Sequence, residues 1–329
     1  MSLDSNIISS CIYHTLAFWM LIISLSCVKE MDLPDCFYEE RMVINSVLDP
    51  DSVVRVNVAR SMTPNGKVEF QFVNSADVNM GLSGQEAIRG FQYTSFGWYE
   101  NKQIELDSTG SYYLEVNCNG LPTINASCKL PNKPQVEKVD LHGDSISFLI
   151  VDDPKEDNYY LVRTYAWQET HHSYEKEDGT WAGYVDTVYQ QITTESDLEY
   201  IEAWYRRRHG RVNNLTGFTF DDEFWRMEAD YEADSYLFSD YMFDGQTIEF
   251  HMNISFGLNS LVGDSPVIDL FVHSLEGNYY RYLLTLAQYL TTDETPFTDR
   301  ARVHNNIQGG YGVFGAQMGE KYEIPVQDY

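Results

Sequence analysis

Basic residues are scarce in this chain. It has 22 lysines and arginines among 329 residues, against 50 aspartates and glutamates, for a net charge of -28 and a pI near 4.4. The deficit removes the clustered cations that nucleic-acid binding depends on, and it gives no protein charge to hold an anionic membrane surface. Catalytic signatures are missing too. The sequence contains no H-E-x-x-H, no G-x-S-x-G and no G-x-x-x-x-G-K-[ST]. Cysteine is rare, at positions 11, 27, 36, 118 and 128, with no C-x-x-C pair to hold a zinc ribbon. His171-His172 is a poor chelate, because neighbours on a strand point to opposite faces. No nucleophile, base and orienting partner can be named together. Long apolar runs are absent as well: Leu16–Leu25 is uncharged for ten residues, about half of what a membrane-spanning helix needs.

Ten residues suit the apolar core of a secretory signal. Ser24-Leu25-Ser26 then leads into Cys27, small residues before a cysteine in the manner of a bacterial lipobox. The expectation is a signal peptide over 1–26, a lipid on Cys27, and a tether over 27–41. Export would place the chain where disulfides persist. Cys118 and Cys128 flank the turn-rich NGLPTINAS and form a candidate disulfide.

Aromatics make up 14% of the chain, and they favour strands. From Met42 onward, short apolar or alternating segments are separated by turns. Met42–Leu48 and Val53–Val58 surround Asp49-Pro50-Asp51, and Tyr112, Leu114 and Val116 share one face of SYYLEVNC. Val68–Val73 and Lys102–Leu106 also read as strands. PNKPQ (131–135) reads as a linker. The expected fold is mainly β: an immunoglobulin-like or transthyretin-like β-sandwich over 42–131, then a β-rich, sandwich-like domain over 136–329 with one or two packed helices. Two segments have helical periodicity. SDLEYIEAWYRRRHG (196–210) offers Ser196 and Glu199 as a capping box. GNYYRYLLTLAQYL (277–290) places Tyr280, Leu283, Leu284, Ala287 and Leu290 on one face.

The tract 218–245 combines carboxylates with aromatics. Asp221, Asp222, Asp230, Asp234, Asp240 and Asp244 lack the spacing of a calcium loop, yet the fold could gather them around Ca²⁺. Solvated loop or contact surface are the other readings. No other cofactor is expected. Asp152-Asp153-Pro154 reads as a turn after a strand. Near the end, Asn306–Ala316 holds Gly309, Gly310, Gly312, Phe314 and Gly315, and contains G-x-G-x-x-G. Only 14 residues run from Ala316 to the end. That is too few for the helix, second strand and acidic residue of a dinucleotide site. The stretch reads as a closing turn and strand, with Phe314 as core anchor.

Several stretches in order resemble one family. They are MVINSVLDPDSVVRVNVARS (42–61), TGSYYLEVNCNGLPTINASCKLP (109–131), IVDDPKEDNYYLVRTY (150–165), LFSDYMFDGQTIEF (237–250), GNYYRYL (277–283) and RVHNNIQGGYGVFGA (302–316). Together they resemble the Bacteroidota outer-membrane lipoproteins of domain-of-unknown-function family 4249. The resemblance implies a β-sandwich N-terminal region, an outer-membrane lipoprotein on the periplasmic or cell-surface face, and a gene often beside a TonB-dependent receptor. It supplies no reaction. The expected function is a non-enzymatic accessory to such a receptor in capturing a peptide or glycan. The alternatives are a structural or adhesive surface protein, calcium-stabilised, and a hydrolase with a site not recognisable from sequence.

Overall fold

The structure, a computed structural model, describes residues 39–62, 71–86, 88–107, 110–176, 178–190, 193–195, 203–209, 231–256, 264–292 and 302–326. The expected signal, Cys27 and most of the tether lie outside them. Seventeen strands are described. The first seven are β1 (Met42–Leu48), β2 (Val54–Arg60), β3 (Asp77–Leu82), β4 (Gln92–Tyr93), β5 (Trp98–Asn101), β6 (Ser111–Asn117) and β7 (Ile124–Lys129). Next come β8 (Gln135–His142), β9 (Ser145–Val151), β10 (Tyr159–Glu175), β11 (Trp181–Gln190), β12 (Thr193–Glu195) and β13 (Ala203–His209). The last are β14 (Tyr231–Ser239), β15 (Thr247–Phe256), β16 (Asp264–Leu275) and β17 (Tyr311–Pro325). One α-helix, Gly277–Thr292, is described. The fold is mainly β, as composition and turn spacing suggest.

One long sheet runs in the order β13-β14-β10-β16-β17-β1-β2-β5-β4, with β11 paired to β10. Two smaller sheets have the orders β3-β6-β7 and β12-β15-β9-β8. Alternation along the long strands sorts side chains between two faces. On one face, Ile44, Val56, Val58, Phe314 and Ala316 pack with Met80, Leu114, Val116 and Ile124 of the three-stranded sheet. Farther along, Val162, Phe238, Leu270 and Val272 pack with Phe148, Ile150 and Phe250 of the four-stranded sheet. On the opposite face, Leu161, Leu237, Leu275 and Val313 meet Tyr279, Tyr280, Tyr282 and Leu283 of the helix. Tyr159 and Tyr280 stack with ring centroids 4.3 Å apart. Glu276 starts the helix, its carboxylate accepting from the Tyr279 N–H at 3.1 Å, and burial raises its pKa.

The last strand joins the early and late parts of the chain. β17 pairs parallel with β1 and antiparallel with β16, so hydrogen bonding crosses the 131–135 linker. Val313 and Phe314 do point to opposite faces, but both are fully buried, each in a different core.

Three expectations need correction. The helix read over 196–210 is a strand where it is described, because β13 pairs with β14 over Ala203–His209. That register sets Arg206 opposite Asp234 and Arg208 opposite Glu232. Phe72 makes only an isolated bridge to Ala59, and Lys102–Leu106 forms no strand. The Cys118–Cys128 disulfide is not formed, and both thiols are free. Cys128 pairs in register with Tyr112, while Cys118 lies six residues beyond Tyr112, past the far end of β6. At about 3.3 Å per residue this separates them by roughly 20 Å, far beyond disulfide reach.

Candidate functional site

The turn after β9 and the turn after β14 meet and bring carboxylates together. Asp152, Asp240 and Asp244 each offer an oxygen, all within 4.8 Å of one another. Asp152 and Asp240 are buried, at 5% and 7% exposure, and Asp244 is exposed. Asp152 accepts from the Tyr160 hydroxyl at 2.7 Å and from the Gly245 N–H at 2.8 Å. Asp240 accepts from the Asn158 N–H at 2.6 Å. A single-turn 3-10 segment, Asp240–Met242, holds the second carboxylate inward while Tyr241 projects into solvent. Gly245 has φ +68, and a Cβ there would meet Pro154, so the turn takes glycine alone without strain.

Burial, then the neighbouring Asp152 charge, raises the Asp240 pKa. Burial and the bond to Asp152 keep the Tyr160 hydroxyl protonated, so it stays a donor. Close carboxylates, two of them desolvated, suit a hard cation taking oxygen ligands. Among the calcium candidates read from sequence, Asp240 and Asp244 are brought together. Asp234 lies on β14, opposite Arg206. Asp221, Asp222 and Asp230 lie outside the described residues. From sequence, Asp152 reads first as a turn residue and only in principle as half of an acid/base carboxylate pair with Asp153. Its local signal, a carboxylate after an apolar strand and before Pro154, could not show a partner 88 positions away.

A second surface stands apart from the cores. The far half of β10 and β11 form a hairpin closed through Lys176–Thr180, where Asp178 accepts from the Thr180 N–H and hydroxyl. His172 and Tyr184 are directly paired and stack at 4.8 Å, with Tyr174 6.4 Å from Tyr184 on the same face. Trp181 and Val185 occupy the other face. Trp181 is 69% exposed, Tyr184 56% and Tyr174 51%. His171 and His172 point to opposite faces, which leaves no chelate. This hairpin was missed from sequence, although Asp178-Gly179 between flanking aromatics is a hairpin signal; nothing in the sequence signals the exposure.

The closing glycine stretch is structural. It opens a strand, not a helix. Gly312 has φ +112 and its missing Cβ would overlap the Ile44 carbonyl, while Gly315 lies against Tyr279 of the helix. Gly309 and Gly310 pass against Thr123 and Ile124. Asn306 bonds both backbone groups of Phe314.

No helix among the described residues is long and apolar enough to cross a membrane. No curated protein matches the chain. The stretches that order the fold, from β1 into most of the closing strand, fall inside residues 29–322, which match the domain-of-unknown-function family DUF4249, and the chain belongs to that family.

Proposed function

We propose that this protein is a non-enzymatic lipoprotein of the Bacteroidota outer membrane, anchored through Cys27, that assists a TonB-dependent receptor in capturing a peptide or glycan. The observation that carries the reading is the β10–β11 hairpin. It displays Tyr174, Tyr184 and Trp181 to solvent instead of a core. Clustered exposed aromatics mark interaction surfaces, and aromatic anchors dominate binding energy at interfaces. The apolar run Leu16–Leu25 ahead of Cys27 supports the anchor.

The test is recovery of the native protein from detergent-solubilised envelopes. Co-purification with a receptor, lost in a Tyr174→Ala, Trp181→Ala, Tyr184→Ala triple variant, is the expected result. A lone monomer overturns it. Mass spectrometry of the mature N-terminus checks for acylation at Cys27.

A second reading, a surface protein stabilised by calcium, is favoured by the meeting of Asp152, Asp240 and Asp244. Melting with and without chelator separates the two.

A further inference from the structure

Among the described residues, β17 has no strand neighbour on one side beyond Ala316. β1 pairs with Tyr311–Ala316 and stops, whereas β16 continues to Pro325. Backbone polarity follows the parity of the residue number. Phe314 bonds Asn306, Ala316 O accepts from Glu276 N, and Val326 N donates to Pro266 O. All three are even-numbered and lie on the β16 side. The odd-numbered residues therefore direct their N–H and C=O groups to the side that β1 has left. Gly319 is buried, but Lys321, Glu323 and Pro325 are exposed. Pro325, which has no N–H, fits an edge facing solvent.

Across from this edge lies β8, the terminal strand of its own sheet. A cleft of about 780 Å³ separates them, lined by Val139–Gly143 and Lys321–Pro325. The two edges are not equivalent. β8 is blunted by a register shift between Glu137 and Asp140, by Lys138 at φ 53, and by Asp140 capping the Leu141 N–H at 2.8 Å. These are ordinary devices against strand addition. β17 has no register shift here. Its one edge lysine, Lys321, is drawn away from the edge by Asp269 and Glu323, each at 3.0 Å.

We infer that the free edge of β17 at Lys321–Pro325 takes an extended peptide by strand addition, with apolar and basic side chains alternating. Strand addition draws affinity from main-chain bonds and selectivity from alternate side chains. Side chains on one face of the added strand enter the cleft beside Val139, Leu141 and Tyr322, which border the sandwich core. Those on the other face lie beside Lys321 and Glu323. Two carboxylates (Asp140, Glu323) and one ammonium group (Lys321) line the cleft; Lys321 is already ion-paired, and His142 lies 3.0 Å from Asp140. The excess is one negative charge, and the chain's overall charge of -28 steers basic ligands toward it. The inference rests on the nutrient-capture reading for the source of the ligand, and it narrows peptide or glycan to peptide.

The probe is a fluorescent seven-residue peptide of alternating valine and lysine, titrated by anisotropy into the detergent-solubilised full-length protein. The control peptide carries N-methyl groups on alternate amides, in both registers, and so keeps every charge. Binding that weakens about tenfold or more on N-methylation is expected, since a lost edge costs several main-chain bonds. Glu323→Pro removes one edge N–H that points away from β16. It is expected to weaken the unmodified peptide similarly with an unchanged melting profile.

Equal affinity for both peptides overturns the inference, as does displacement by maltohexaose. So does a dimer that Glu323→Pro dissolves, because a second copy then occupies the edge. The receptor reading is scored separately by the hairpin triple variant, which leaves β17 untouched. Protein recovered with its receptor but failing to bind peptide sinks this inference alone.

Discussion

Asn306 takes the place of a strand residue beside Phe314. Its side-chain amide donates to Phe314 O at 2.7 Å and accepts from Phe314 N at 3.0 Å. β16 ends at Leu275, opposite Gln317, so this one side chain continues the ladder past the end of its strand. Backbone groups left buried and unpaired are costly. Asn306→Asp keeps the acceptor and loses the donor, stranding Phe314 O. The expected loss is about 1–3 kcal/mol, read as a lower urea midpoint with an unchanged slope. An unchanged midpoint would show that water replaces the amide.

Two glycines with similar backbones should respond very differently to alanine. Gly120 has φ +82 with nothing near its missing Cβ, while Gly312 has φ +112 and the Ile44 carbonyl in the way. Gly120→Ala should cost about 1–2 kcal/mol, the left-handed penalty alone. Gly312→Ala must also push β1 away from β17, so loss of soluble expression or a drop of more than about 4 kcal/mol is expected. Similar urea midpoints for the two variants would contradict the close packing of these strands.

Part of this was legible in advance, for local reasons. The β1–β2 hairpin announces itself through Asp49-Pro50-Asp51, and the helix at 277–292 through an apolar stripe that buries Tyr280 and Leu283. The same stripe logic failed at Ala203–His209, because sheet partners outweigh periodicity when a complementary strand is available. The parallel pairing of Val43 with Tyr311 joins positions 268 residues apart, and no turn or spacing reports such a contact. The acidic site shows the same limit. Asp240 and Asp244 stand out by composition, but their partner Asp152 becomes visible only once β9, β10 and β14 are placed.

The two cysteines give a chemical check on the β6–β7 hairpin. Cys128 is buried near the hairpin's open end, and burial pushes its thiol pKa well above the ordinary value; Cys118 is half-buried where the hairpin turns. Only thiolates react readily. A brief pulse of iodoacetamide on the folded protein should modify Cys118 and spare Cys128. After unfolding without reductant, both should be alkylated. A peptide linking the two would show that the hairpin register is wrong.

The carboxylate trio predicts opposite responses to protons and to calcium. Burial raises the Asp240 pKa above 3.8, so the folded chain holds that proton more tightly than the unfolded one. For an acid shifted this way, stability falls as pH rises from near 3.8 through the raised value. At neutral pH the ionised Asp240 is therefore a liability unless a cation neutralises it. In chelator at pH 7, Asp240→Asn should melt higher than the parent, because its amide oxygen still accepts from Asn158 and one repulsive charge is gone. That advantage should shrink as the pH approaches 3.8. Calcium should reverse the order. At 100 times its dissociation constant a ligand adds about 2.7 kcal/mol, or roughly 4–5 °C for a domain of this size, and the variant should gain much less. If calcium moves neither melting curve, the trio is a hydrogen-bonded tie between two turns, and the calcium-stabilised reading fails.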